Sequence, residues 1–232
     1  MANKILIEGK SGTGKSFAAR NLDPKTTFII CADKKALPFQ GWKKNYIEKY
    51  DEKGNLTQDS NFIRTNDFAQ MERYLKLVNE YKKEVKVIII DTISMAMNNA
   101  FMARAKETGW DKYTEMALQI YNFINMLDGL RDDLTIIVCS HVEVSDSLGV
   151  EKRTFQVPAG KIMKEKITVP SMFTVVLETV VRFNDSQEAE YLFLTQNDGN
   201  NDAKSPAGMF PEKYIANDYK LVLDCIDKYE NG

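Results

Sequence analysis

Near the N-terminus, Gly9-Lys10-Ser11-Gly12-Thr13-Gly14-Lys15-Ser16 sets glycines, a lysine and a hydroxyl in the pattern G-x-x-x-x-G-K-[ST]. Each residue type answers a need of phosphate binding. Glycines let backbone N–H groups turn inward on an anion, and the N-terminus of a following helix adds its dipole. Lys15 would bridge the β- and γ-phosphates of a nucleoside triphosphate, while the Ser16 hydroxyl would ligate Mg2+. The run from Gly9 to Ser16, with Phe17 just beyond it, is therefore expected to bind ATP. At average glycine usage, a chance match anywhere in the chain has a probability of about one per cent.

Asp91 is the next group with clear chemistry. It ends the most apolar run of the chain, Val85-Lys86-Val87-Ile88-Ile89-Ile90. Parallel sheets deliver ligand-facing residues at the carboxyl ends of their strands. There the Asp91 carboxylate would hold Mg2+, through water. Ser16 and Asp91 are the expected metal-holding pair.

The elements that must carry these groups are legible as apolar runs. Lys4-Ile5-Leu6-Ile7-Glu8 reads as a strand into the glycine-rich turn, and Ser16–Leu22 as a helix stopped at Asp23-Pro24. Thr26–Cys31 is a second strand, with a short one near Asn61–Ile63. Phe68, Met71, Leu75 and Val78 share one helical face. Residues 98–114 read as a polar stretch, and Met116, Ile120, Phe123, Ile124 and Leu127 mark a further helix. Thr135–Cys139 is another buried strand, ending at Ser140-His141, and residues 143–168 read as a long loop. Phe173–Phe183 and Glu188–Thr195 form a strand pair turning at Asn184-Asp185-Ser186. Leu221, Val222, Cys225, Ile226 and Tyr229 give a closing helix. Continuous apolar strands, as opposed to alternating ones, imply a sheet covered on both faces, hence parallel α/β architecture. Residues 1–232 show no internal repeat or linker and read as a single domain.

Bulk composition bounds the function classes. With 44% hydrophobic and 28% charged residues, the chain has ordinary globular character. No apolar run approaches the ~20 residues of a membrane span, and the N-terminus enters a strand at once, so neither a membrane role nor a signal peptide is expected. Cys31, Cys139 and Cys225 are far apart and read as reduced thiols in a cytoplasmic protein, and the lone His141 excludes a Cys/His zinc site. A net charge of −2 makes the chain no global polyanion binder, so any nucleic-acid contact must be local or arise by assembly.

After Asp91 the chain makes a helix and then another apolar strand tipped by a polar residue. In this it resembles the RecA-like P-loop ATPases, over most of its length. The resemblance implies a mainly parallel sheet of core order 5-1-4-3-2, counting the long strands by appearance, with a C-terminal strand pair. It implies a carboxylate at the tip of the second strand that activates water. Asp33 stands there, one methylene shorter than the family's usual glutamate, and Glu143 is the rival. His141 matches the family's γ-phosphate-contacting position. Lys204, in Lys204-Ser205-Pro206, matches where these proteins present a cation to a neighbour's γ-phosphate. Two segments match the DNA-binding loops: residues 102–113, with Arg104, Lys106 and Lys112, and residues 150–164, with Lys152, Arg153, Phe155 and Lys161. Both interleave cations for phosphates and flat faces for bases.

Together with Ala36-Leu37-Pro38, Pro158-Ala159-Gly160-Lys161 and Lys204-Ser205-Pro206-Ala207-Gly208-Met209-Phe210, these features look like the phage-encoded Sak-four group of single-strand annealing proteins, which share an AAA-type domain. That resemblance implies single-stranded DNA as partner, self-assembly, cooperation with a phage single-strand-binding protein, and residence in the bacterial host cytoplasm. Two other readings stay open. One is an ATP-controlled assembly module without DNA. The other is a small-molecule nucleotide kinase, against which the seven scattered arginines speak because they form no lid cluster.

Overall fold

The computed structural model describes residues 2–147, 149–157 and 168–232. Its frame is an eight-stranded sheet of order β10-β9-β8-β1-β5-β4-β2-β3. These strands are β1 (Asn3–Glu8), β2 (Thr27–Cys31), β3 (Phe62–Ile63), β4 (Val87–Asp91), β5 (Thr135–Ser140), β8 (Val175–Phe183), β9 (Ala189–Leu194) and β10 (Tyr214–Ala216). The stretch β8-β1-β5-β4-β2 is the expected core order, with β5 between the P-loop strand and the Asp91 strand. All pairs from β8 to β3 are parallel, and β9 and β10 add antiparallel strands at one edge. The expected strand pair is thus β8 and β9, and β10 extends it.

Alternation along each strand splits the core between the two faces of the sheet. Leu6, Phe28, Ile30, Ile88, Ile90 and Val138 pack under α2 (Phe68–Tyr81), α3 (Ile93–Ala103) and α4 (Asp111–Leu127). Ile5, Ile7, Ile29, Ile89 and Ile137 pack on the other face, under Ala18, Ala19 and the closing helix α5 (Tyr219–Asn231). The helix α2 is capped by Asp67, whose side chain accepts from the Gln70 backbone amide at 2.8 Å. The short α1 (Trp42–Asn45) leads toward β3.

Three local expectations are corrected. The segment after the P-loop is a five-residue 3-10 helix, Phe17–Asn21, where a longer helix was expected. The start of the supposed polar stretch 98–114 belongs to α3, whose Ile93, Ala96 and Met97 are buried. The expected loop 143–168 begins as a hairpin of β6 (Val142–Ser147) and β7 (Val150–Phe155), turning at Gly149, where φ is +80°. The cysteines are free, and among the described residues no helix is long and apolar enough to cross a membrane.

Candidate active site

Four strand tips converge on one pocket of about 430 Å3, lined by Ser11, Gly12, Gly14, Lys15 and Ser16 together with Asp33, Asp91 and His141. The parallel register produces this convergence: Glu8, before the P-loop, pairs with Ser140, before His141, and Cys31 pairs with Asp91. The Ala32 amide donates to the Asp91 carbonyl at 2.6 Å, tying the turn that carries Asp33 to the β4 tip.

The loop needs its glycines. A Cβ on Gly9 would lie 1.8 Å from Thr179 Oγ1, and Gly14 sits at φ +101°, where side chains are strained. Thr13 Oγ1 bonds to Thr179 Oγ1 at 2.5 Å, fastening the loop to β8. Support from below comes from the C-terminus. Tyr219, fully buried and stacked on Phe193, donates from its hydroxyl to the Lys15 carbonyl at 2.7 Å.

Lys15 is 5% exposed, and its ammonium donates to the carbonyls of Gly9 and Lys10 at 2.7 Å each. It stands 3.4 Å from His141 Nδ1. Burial lowers the Lys15 pKa, opposed by the Cys139, Asp91 and Asp33 sites. His141 is also lowered, first by burial and then by Lys15, so its imidazole is neutral at pH 7. Its backbone amide donates to Ser94 Oγ at 2.8 Å, which fixes where the ring emerges.

Asp91 is 3% exposed, and burial lifts its carboxyl to about 6 against the pull of a Ser16 hydrogen bond. Its Oδ1 has no protein partner. An orphaned carboxylate oxygen beside a serine hydroxyl fits a Mg2+ held jointly with phosphate oxygens, and Ser16 and Asp91 would hold it. Among the described residues no cluster of three or more His, Cys, Asp or Glu would hold a metal by itself.

Asp33 accepts from Thr92 Oγ1 at 2.9 Å, and Lys35 Nζ lies 3.4 Å from its other oxygen. Thr92 and Lys35 line the pocket and were missed in the sequence; their adjacency to Asp91 and Asp33 was the available signal. Glu143, the rival base, lies on β6 and does not line the pocket. Lys204 is held by two backbone hydrogen bonds to Val176 at 2.8 Å and is likewise absent from the lining.

The candidate DNA-contacting residues divide into engaged and exposed groups. Arg104 is ion-paired to Glu107 and Glu115, and Lys112 donates to the carbonyls of Arg104 and Glu107. Arg153 pairs with Glu178 at 2.5 Å and with Glu151, and Phe155 is buried at 4% exposure. Lys106 and Lys152 are exposed. Trp110, between the two helices α3 and α4, is 83% exposed. Lys161 lies outside the described residues.

The hairpin is strapped to the P-loop itself, since Lys10 Nζ meets Glu151 Oε1 at 2.8 Å. Beneath that strap Glu8 and Glu178 are register partners, both almost fully buried, each with one unpaired oxygen. The Glu8 pKa is raised well above its ordinary 4.5 by burial, then by Asp202 and Glu178. A raised acid holds its proton longer in the folded state. Its stabilising contribution is complete below pH 4.5 and is lost as pH rises toward the elevated value. Glu8→Gln cannot ionise, so it is expected to melt several degrees above wild type at pH 8. The gain follows about 2–4 °C per kcal/mol at this chain length, and it should vanish at pH 4.5. Melts at both pH values check this; a pH-independent difference would contradict it.

Residues 1–207 match the family described as an AAA domain. No curated protein matches the chain. Among solved structures, a KaiC-like protein from the hyperthermophilic archaeon Pyrococcus horikoshii is similar at 14% identity with a TM-score of 0.45, covering 83% of this chain and 77% of that one.

Proposed function

The chain belongs to the AAA domain family, and on that premise we propose that it hydrolyses ATP with Mg2+ and does so in response to single-stranded DNA. The domain is a nucleotide-binding P-loop ATPase domain. The convergence of Lys15, Ser16, Asp33, Asp91 and His141 on one pocket carries the catalytic part of the reading. In it the loop amides and the Lys15 ammonium neutralise the β- and γ-phosphates. Mg2+, when bound, supplies further charge stabilisation at the transferred phosphoryl group. Asp33, oriented by Thr92, takes the proton of the attacking water. His141, neutral and beside Lys15, is placed to sense the γ-phosphate and begins the segment that runs directly into β6.

The DNA part rests on exposed groups with the right chemistry. Trp110 offers a flat face and Lys106 and Lys152 offer cations, the combination that single strands require. Self-assembly, with Lys204 supplied to a neighbour's site, completes this reading, as does single-strand annealing with a phage single-strand-binding protein in the host cytoplasm.

Steady-state phosphate release with and without single-stranded DNA, across protein concentration, tests it. Stimulation by DNA that grows with concentration is expected. A Lys106→Glu/Lys152→Glu/Trp110→Ala variant should keep basal turnover, lose stimulation, and show a shallower fall of affinity with salt. Turnover indifferent to DNA would overturn the DNA part and favour ATP-controlled assembly.

A further inference from the structure

The sheet carries a second cleft at the edge opposite the nucleotide pocket. β4, β2 and β3 are parallel neighbours, so the chain enters all three from the same edge. Pro24 and Lys25 before β2, Ser60 and Asn61 before β3, and Glu84 and Val85 before β4 wall a cleft of about 390 Å3 there. That volume is in the range of small-molecule sites. No residue lines both this cleft and the nucleotide pocket.

Most of the wall is already satisfied. The Asn61 carboxamide donates to the carbonyls of Pro24 and Asn45 at 2.7 and 3.0 Å and accepts from the Ile47 amide at 2.7 Å. Ser60 Oγ donates to the Lys49 carbonyl at 3.1 Å and accepts from the Lys49 amide at 3.0 Å. Lys82 is different. The residue is 4% exposed, yet among the described residues its ammonium donates only to the Gln58 carbonyl, at 2.5 Å. An ammonium carries three donors, so two are left unspent at the cleft wall. Burial lowers the Lys82 pKa, against the pull of Glu84 and Asp59. Hydrogen-bonding capacity buried and left unused is costly, and native structures keep it where something else completes it.

The charge around Lys82 has the same sign. Lys25 and Lys44 line the cleft, both are exposed, and neither makes an ion pair among the described residues. Of the two acids in the lining, Asp59 is taken by Lys49 at 3.1 Å and by the Thr57 hydroxyl at 2.6 Å. That leaves Glu84 alone to face three lysines.

We propose that this cleft is a second ligand site, for a phosphate monoester, with Lys25, Lys44 and Lys82 as its cations. Such a group carries about two negative charges at pH 7 and three acceptor oxygens. It answers both the charge that Glu84 leaves over and the donors that Lys82 leaves unspent. Lysine meets a phosphate as a point charge and needs no planar match. A free phosphate ester and the terminal phosphate of a nucleic-acid strand share this chemistry, and the test separates them.

The test is calorimetric titration of the full chain carrying Lys15→Ala, which removes the P-loop cation from the competition. The probes are inorganic phosphate, glycerol phosphate and a 5′-phosphorylated oligothymidylate. One site per chain is expected for inorganic phosphate. Adding Lys25→Ala/Lys44→Ala, both at exposed positions, should weaken it about tenfold or more, as loss of charge-assisted hydrogen bonds does. Adding Lys82→Met instead should do the same. A lysine-dependent affinity higher for glycerol phosphate assigns the site to a free ester, and one higher for the oligonucleotide assigns it to a strand end. In the otherwise wild-type chain, Lys25→Ala/Lys44→Ala should leave ATP affinity unchanged, so the cleft and the nucleotide pocket stand or fall separately. No heat from inorganic phosphate in Lys15→Ala, or the same isotherm after Lys25→Ala/Lys44→Ala, would overturn the site. Succinate binding as tightly as phosphate would overturn the phosphate class.

Discussion

Lys15→Ala is expected to slow steady-state ATP hydrolysis by about 10²-fold or more, a loss of ~3 kcal/mol at the transition state. The reason is local. The Lys15 ammonium is the group that the fold buries at the mouth of the P-loop, held 2.7 Å from two of the loop's own carbonyls. Charge developing on the transferred phosphoryl oxygens would lose its nearest protein cation. Lys10 cannot take its place, because it is half-exposed and drawn to Glu151. The fold should tolerate the change, since the substitution deletes a desolvated ammonium and leaves the Tyr219 contact to the Lys15 backbone intact. Phosphate release and a thermal melt on the same sample check both halves. Wild-type turnover in the variant would refute the assignment.

Asp33→Asn is expected to reduce turnover by about 10²–10⁴-fold, the range for losing a positioned general base, while ATP affinity stays within a few-fold of wild type. The amide oxygen can still accept from Thr92 Oγ1, so the side chain keeps its place and loses only its ability to take a proton. The tether of the β2 tip to the Asp91 carbonyl holds the Asp33 turn at the pocket in the variant as in the wild type. Binding by calorimetry beside single-turnover hydrolysis separates the two effects. Unchanged turnover would move the base role elsewhere, first to Glu143.

Much of this arrangement was legible because it is encoded locally. The P-loop is contiguous, and the strands β1, β2, β4 and β5 are apolar runs long enough to fix a covered parallel sheet. Their order emerged from the resemblance, and the register then brought Asp33, Asp91 and His141 to one edge. What escaped was encoded at long range or with weak contrast. The helix α3 is Ile-Ser-Met-Ala-Met-Asn-Asn-Ala-Phe-Met-Ala, too evenly apolar at its start to show a face. The hairpin β6–β7 alternates only at Val142 and Val144 before a glycine turn. It is held mainly by polar contacts: Arg153 reaches Glu178, and the Phe155 amide reaches Asp202. The buttress from Tyr219 to Lys15 and the packing of Asn217 against Gly14 join the two ends of the chain. No window of sequence contains such pairs. Arg104 and Lys112 are expected DNA-binding residues in sequence, and the structure engages them with neighbouring acids and carbonyls, a balance that composition alone does not show.

The claim on which the rest depends is that the turn after β1 grips a nucleoside triphosphate. Calorimetric titration of the full chain with ATP in Mg2+ tests it most directly. A single saturable site per chain is predicted, with a marked loss of affinity in Lys15→Ala. No heat from the wild-type protein, or the same isotherm from both proteins, would contradict it.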